Sequence, residues 1–194
     1  MSNCMRTLCA VLFLFAGLCL AGQGRLPDLL FHDLNGIPRH PLHQKEKLAT
    51  VLFFYWHDCP ICNSYAPEIS RISDSYTNFA FYIIQVDPDL TAEVARKHAT
   101  EYQLHAPVLL DPQHRLVGLA RATATPQAVV LGRKGEVLYT GRIDDLYAGL
   151  GKKRAMPTQH DLREALDAIN VGKSVKKKDT TVVGCMIQGT SAKK

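Results

Sequence analysis

The hydrophobic pattern of the chain changes period several times, and each change marks an element. Residues 51–56 are all apolar and rich in β-branched and aromatic side chains, which predicts a strand buried on both faces. The period then lengthens to 3.6. Cys62, Tyr65, Ala66, Ile69, Ile72, Ser73 and Tyr76 fall on one face of a predicted helix. Residues 79–86 predict a second buried strand, closed by Asp87-Pro88. Residues 90–102 predict a helix with Leu90, Val94, Ala95 and Ala99 facing inward. A short strand over 106–110 and a short helix over 113–122 follow. Thr125-Pro126 introduces a strand at 127–131. A tight turn at 133–136 joins it to a hairpin partner at 137–143. Residues 144–157 read as a loop. The last helix opens at Thr158, with Asp161 three residues on as a capping arrangement. It buries Leu162, Ala165, Leu166 and Ile169 and stops at Gly172.

The flanks are less patterned. Residues 25–50 carry turn signals, Asn35-Gly36 among them, and predict a lead-in with one short hairpin. From Lys173 the chain is basic, with a β-prone piece at 180–187. The order is β-α-β-α-β-(α)-β-β-α, an α/β fold with a mixed central sheet flanked by helices. No internal repeat or low-complexity tract interrupts it.

Arg6 followed by an apolar run over 8–20 reads as a secretory signal peptide. That run is shorter than the ~20 residues of a membrane span. Cys19 and Ala21 are the small residues of a cleavage site after Ala21. Leu18 argues against lipoprotein anchoring at Cys19. The organisation expected is a signal peptide over 1–21, one domain over 26–170, and a basic tail over 171–194 that carries Cys185. The mature chain is expected to be exported, periplasmic or extracellular, without a membrane span. The net charge of +5 owes much to two clusters, Lys152, Lys153, Arg154 and Lys176, Lys177, Lys178. No basic stripe is interleaved with aromatics, so no nucleic-acid partner is expected. After loss of the leader three cysteines remain: Cys59, Cys62 and Cys185. An odd count suits one close pair plus one further thiol, not a disulfide scaffold.

Cys59 falls where a buried strand gives way to a helix. The unpaired amides and partial positive charge of a helix N-terminus stabilise a thiolate. Cys62 lies one turn on, within reach, as a resolving thiol. Pro60 stiffens the turn. Thr125-Pro126, opening a later strand, is expected to form a cis-proline loop that faces the thiols.

Taken together, VLFFYWHDCPICNSYAPEI, ATPQAVVL and GEVLYTGRIDD resemble the thioredoxin fold. More narrowly they resemble exported thioredoxin-like redoxins grouped with the alkyl hydroperoxide reductase and thiol-specific antioxidant family. An extra strand and helix lie between the CxxC and Thr125-Pro126. The resemblance implies a redox-active Cys59–Cys62 pair and a substrate groove shaped by Pro126, Thr125 and Trp56. It also matches Pro67 to the proline that bends the helix after the active site. It implies exchange with protein thiol or disulfide substrates and an unidentified redox partner, with no cofactor beyond the two sulfurs.

Three positions depart from the pattern. Asp58 stands where plain thioredoxins have tryptophan, the strand before the motif carries no acid, and Tyr65 replaces an acid three residues after the second cysteine. Proton transfer then falls to His57, Asp58 or Glu68. Asp58 beside Cys59 is expected to raise that thiol's pKa. Trp56 and Leu52 occupy the positions where peroxiredoxins carry their peroxide-binding residues, which weakens a thiol-peroxidase reading. A copper-handling reading rests on His57, Cys59 and Cys62, with His98, His105, His114 or His160 as a third ligand. A non-catalytic module with a structural Cys59–Cys62 bridge is the remaining alternative. Cys185 has three candidate roles: a resolving thiol for Cys59, an intermolecular disulfide, or an inert thiol.

Overall fold

The computed structural model describes residues 27–189. The leader expected over 1–21 lies outside the described residues. The lead-in forms the expected hairpin, β1 (Phe31–His32) with β2 (Pro38–Arg39). Next come β3 (Ala49–Tyr55), α1 (Pro60–Ser75), β4 (Ala80–Gln85), α2 (Ala92–Glu101), β5 (Val108–Leu110) and α3 (Arg115–Ala120). The second half holds β6 (Ala124–Thr125), β7 (Gln127–Gly132), β8 (Val137–Gly141), β9 (Tyr147–Gly149), β10 (Lys152–Lys153), α4 (Asp161–Asn170) and β11 (Cys185–Met186).

The central sheet has the order β5-β4-β3-β7-β8. β3 pairs parallel with β4 and antiparallel with β7, so the sheet is mixed. This is a thioredoxin-like α/β fold. β3 is buried at every position because it has a neighbour on each edge and a layer on each face. Its side chains alternate, as a pleated strand requires. Val51, Phe53 and Tyr55 join Ile69, Ile72, Leu162 and Leu166 under α1 and α4. Leu52 and Phe54 join Leu116 and Val117 of α3 on the other face.

Several local differences from the pattern have physical causes. In α1 the buried residue is Ser70, and Ser73 is only half-buried. The Ser70 hydroxyl donates to the Gln103 carbonyl, so burial leaves it satisfied. In α2 the inner face is Ala95 and His98, while Val94 is 46% exposed. Ala95 and His98 are three apart and share a face; Val94 is turned about 100° from Ala95. Within 144–157, where a plain loop is expected, β9 and β10 form a hairpin with Gly151 at φ +71°. Thr158 does not cap α4. Its amide and hydroxyl both donate to Asp145, which also accepts from the Gln159 amide. The helix begins at Asp161, whose carboxylate is held by Arg142 and Lys177. α3 is capped from outside, because Asp111 accepts the amides of Arg115, Leu116 and Val117.

The basic tail is laid against the domain as far as residue 189. Val175, Thr180 and Ile187 are buried, and Thr140 bridges to Asp179. Gly141, at φ +149°, permits this approach. A Cβ there would meet the backbone of Thr180.

Candidate active site

α1 starts directly beyond β3, and Cys59 is its N-cap residue, extended at φ −82°, ψ 114°. Its amide donates to the Trp56 carbonyl and its carbonyl accepts from Asn63, which fixes the turn. Pro60 occupies the first helical turn, where its missing N–H has no partner to lose. Pro67 lies inside the helix, so the Asn63 carbonyl receives no amide from position 67.

Cys59 and Cys62 are free thiols, 2% and 0% exposed. A hydrogen bond from the Cys62 thiol holds the Cys59 pKa down at about 5; burial opposes this, and Cys185 and the amides of Cys62 and Ile61 assist. Burial, followed by the neighbouring Cys59, pushes Cys62 well above the ordinary thiol value. The pair is thus split into a ready thiolate and a protonated partner. The upward push expected from Asp58 does not prevail. Its carboxylate is 75% exposed and lies 3.3 Å from His57.

The Thr125–Pro126 peptide bond is cis, and both residues are buried. The Thr125 carbonyl oxygen lies 3.8 Å from Cys59 Sγ. β6 thus forms one wall beside the thiols, and β11 pairs with it antiparallel, Cys185 opposite Thr125. Cys185 Sγ lies 3.0 Å from Cys59 Sγ. Burial and the neighbouring Cys59 push the Cys185 thiol up to about 11. Trp56 lines a cavity of about 310 Å³ with Val86, Asp87, Pro88, Met186 and Ile187, and its Nε1 has no hydrogen-bond partner.

The proton-transfer candidates are spread out. His57 is 15% exposed and sits between Asp58 and Asp87, at 3.3 and 3.5 Å. Glu68 is committed elsewhere, in ion pairs with Arg71 and Arg163. It also lies six residues beyond Cys62, roughly 9 Å along the helix axis. Three of the histidines proposed as copper ligands have other partners: His98 Nε2 bonds Asn63, His105 bonds Asp74, and His114 bonds the Val86 carbonyl. His160 stands at the N-cap position of α4 without a side-chain capping bond. No metal-holding group of three or more His, Cys, Asp or Glu forms among the described residues.

A polar knot that the hydrophobic pattern does not reveal lies beside the motif. Asn63 Oδ1 accepts from the Tyr55 hydroxyl at 2.8 Å and faces His98 Nε2 at 2.9 Å. Asn63 Nδ2 donates to the His57 carbonyl. One side chain therefore ties β3, the turn and α2 to the first turn of α1. The available signal was an amide next to Cys62 and a histidine on the inner face of α2. Tyr65 is buried in the core as its register implies, and its hydroxyl reaches Asp144.

Comparison with known proteins bears on the family and the fold. The model of the AhpC/TSA family matches residues 25–140. Among solved structures, a hypothetical protein from Sinorhizobium meliloti is 25% identical, with TM-score 0.72, covering 87% of this chain and 94% of that one. A putative thioredoxin from Neisseria meningitidis is 27% identical, with TM-score 0.55, over 75% of this chain and 89% of its own. A secreted disulfide oxidoreductase of Mycobacterium tuberculosis, described as homologous to DsbE of E. coli, shares the fold at 19% identity and TM-score 0.54, over 73% and 96%. No curated protein matches the chain.

Proposed function

The chain belongs to the AhpC/TSA family, and from that premise we propose that it is an exported thiol–disulfide oxidoreductase acting on protein substrates through Cys59 and Cys62. One observation carries the reading: the two thiols sit one turn apart at a helix start, with opposite pKa shifts. The Cys59 thiolate attacks a substrate disulfide, forms the mixed disulfide and releases one substrate thiolate. Cys62 then loses its proton and attacks Cys59 Sγ. This expels the second substrate sulfur and closes the Cys59–Cys62 bond. The two electrons come from the pair, and no other cofactor takes part. Thr125 and Pro126 line the groove, and Trp56 shapes its floor. His57 is the group beside the motif suited to carry the proton.

Export follows from the leader pattern in the sequence. Among the described residues no helix is long and apolar enough to cross a membrane. The test is the equilibrium reduction potential of the pair, titrated against glutathione, with a Cys185→Ser control. A two-electron couple that persists in Cys185→Ser and disappears when Cys62→Ser is added to it supports the reading. Absence of any such couple in the wild type sinks it.

A further inference from the structure

The C-terminal strand lies where a partner peptide would have to lie. An extended peptide binding beside Thr125 would add a strand to β6 and bring its cysteine against Cys59. β11 already does both, with Cys185 opposite Thr125 and Met186 opposite Ala124. The Ile187 amide donates to the Thr123 carbonyl at 2.9 Å, which extends the pairing by one residue.

We propose that the Gly184-Cys185 strand is a tethered substrate: it fills the groove beside Thr125, and Cys185 forms a second disulfide with Cys59 in competition with Cys62. This inference rests on the reading of Cys59 as an exchanging thiol.

Three further observations fit the strand to its groove. The sulfurs are 3.0 Å apart, about 1 Å from the separation of a disulfide bond. Residue 184 has to be glycine, because a Cβ there would run into the Thr125 carbonyl and the Pro126 nitrogen. The strand is also held at both ends. Thr180 Oγ1 bonds Tyr139 and the Arg142 amide, and Ile187 is buried against the α3 side of the sheet. Between these anchors, residues 181–184 form no ladder.

Cys59 is only 2% exposed with the strand in place, so an incoming disulfide reaches it when β11 lifts. A partner that replaces β11 meets the same wall and needs a glycine immediately before its reactive cysteine. The substrate class is therefore an extended Gly-Cys peptide.

The chemistry balances without any further group. The Cys59 thiolate attacks one sulfur of oxidised glutathione and releases one glutathione thiolate. Cys185 then gives up its proton and attacks Cys59 Sγ, which releases the second glutathione and leaves Cys59–Cys185. Two thiols are oxidised and one glutathione disulfide is reduced. Interchange with Cys59–Cys62 moves no electrons: Cys62 attacks Cys59 Sγ, and Cys185 leaves and takes up a proton. In the Cys59–Cys185 bond, Cys59 is the better leaving group towards a thiolate that attacks Cys185.

The test oxidises the reduced full chain with oxidised glutathione, blocks free thiols by alkylation and maps the linkages by peptide mass spectrometry. Both linkages are expected in the wild type, with Cys59–Cys185 within about tenfold of Cys59–Cys62. In Gly184→Val, Cys59–Cys185 falls at least about tenfold while Cys59–Cys62 persists, because the strand no longer seats. Ile187→Ser releases the other end of the strand and lowers the same linkage, independently of any folding defect particular to Gly184→Val. Recovery of Cys185 fully alkylated beside an intact Cys59–Cys62 bond overturns the inference and leaves the proposed function standing. So does a Cys59–Cys185 yield that neither variant changes. If Cys59 enters no disulfide in any of the proteins, the proposed function and the inference fall together.

Discussion

The Tyr65 hydroxyl donates a 2.6 Å hydrogen bond to Asp144 Oδ1, tying the first turns of α1 to the segment after β8. Asp144 is 5% exposed, and its other close contact through this oxygen is the Leu146 amide. Tyr65→Phe keeps the ring in the core and removes one of these donors. A buried acceptor that loses a charged-group bond costs about 1.5–3 kcal/mol. Urea unfolding of the reduced protein is expected to show a loss of that size with an unchanged slope.

The thiol titration is open to direct measurement. Alkylation of Cys59 by iodoacetamide in the reduced protein is expected to rise to half its plateau near pH 5. Cys62 supplies the largest share of this depression and Cys185 a smaller one. Cys62→Ala is therefore expected to shift the midpoint upward further than Cys185→Ala. Equal midpoints in all three proteins would remove the thiol–thiol bonds as the cause.

The same shift makes reduced-state stability depend on pH. The unfolded thiol titrates near 9.0 and the folded one near 5, so between these values the unfolded chain binds more protons. Stability from Cys59 is complete above pH 9 and is lost as pH falls through 5. Cys185 has the opposite sign: its folded value is raised to about 11, so its contribution is present below pH 9 and is lost as pH rises through 11. The urea midpoint of wild type minus that of Cys59→Ala, both reduced, is expected to grow steadily from pH 5 to pH 9. A flat difference over that interval contradicts the assignment.

Asn63 is the side chain on which the surroundings of the motif depend most. Asn63→Leu leaves the Tyr55 hydroxyl and His98 Nε2 without this partner in a buried position. The expected loss is about 2–4 kcal/mol, as two buried polar groups go unsatisfied. Thermal unfolding reads the stability. Hydrogen exchange at the start of α1 and in α2 is expected to accelerate together, since Asn63 joins them.

Gly141→Ala tests how the tail is welded to the domain. The φ of +149° and the nearby Thr180 backbone both oppose a Cβ. The expected cost is about 1–3 kcal/mol. The Thr140 and Thr180 amides, which bond to Lys178 and Thr140 carbonyls, should lose exchange protection ahead of the central sheet. Protection that persists at both amides would show that the tail tolerates the change.

The layered core was legible in the sequence because burial imposes periods. The continuous apolar run at β3 and the 3.6 pattern of Tyr65, Ile69 and Ile72 leave little choice of fold or of where the CxxC sits. Polar side chains with tertiary partners carry no period. Asp145 takes over the Thr158 amide and hydroxyl from 13 residues away, which no local capping pattern reveals. The position of Cys185 opposite Thr125 depends on a pairing between strands of two residues each, too short to show alternation. One of the two partners that commit Glu68, Arg163, is 95 residues distant and leaves no local trace.

The sequence spacing of the three cysteines sets an order in time. Cys59 and Cys62 are close in any conformation of the chain, folded or not. Cys59 and Cys185 are 126 residues apart. Closing a loop of that length in the unfolded chain costs about 3 kcal/mol more than joining near neighbours. During synthesis Cys185 also emerges last, after every strand of the central sheet. A bond between Cys59 and Cys62 therefore says nothing about whether the later strands have assembled, whereas a bond between Cys59 and Cys185 certifies that β6 and β11 have met.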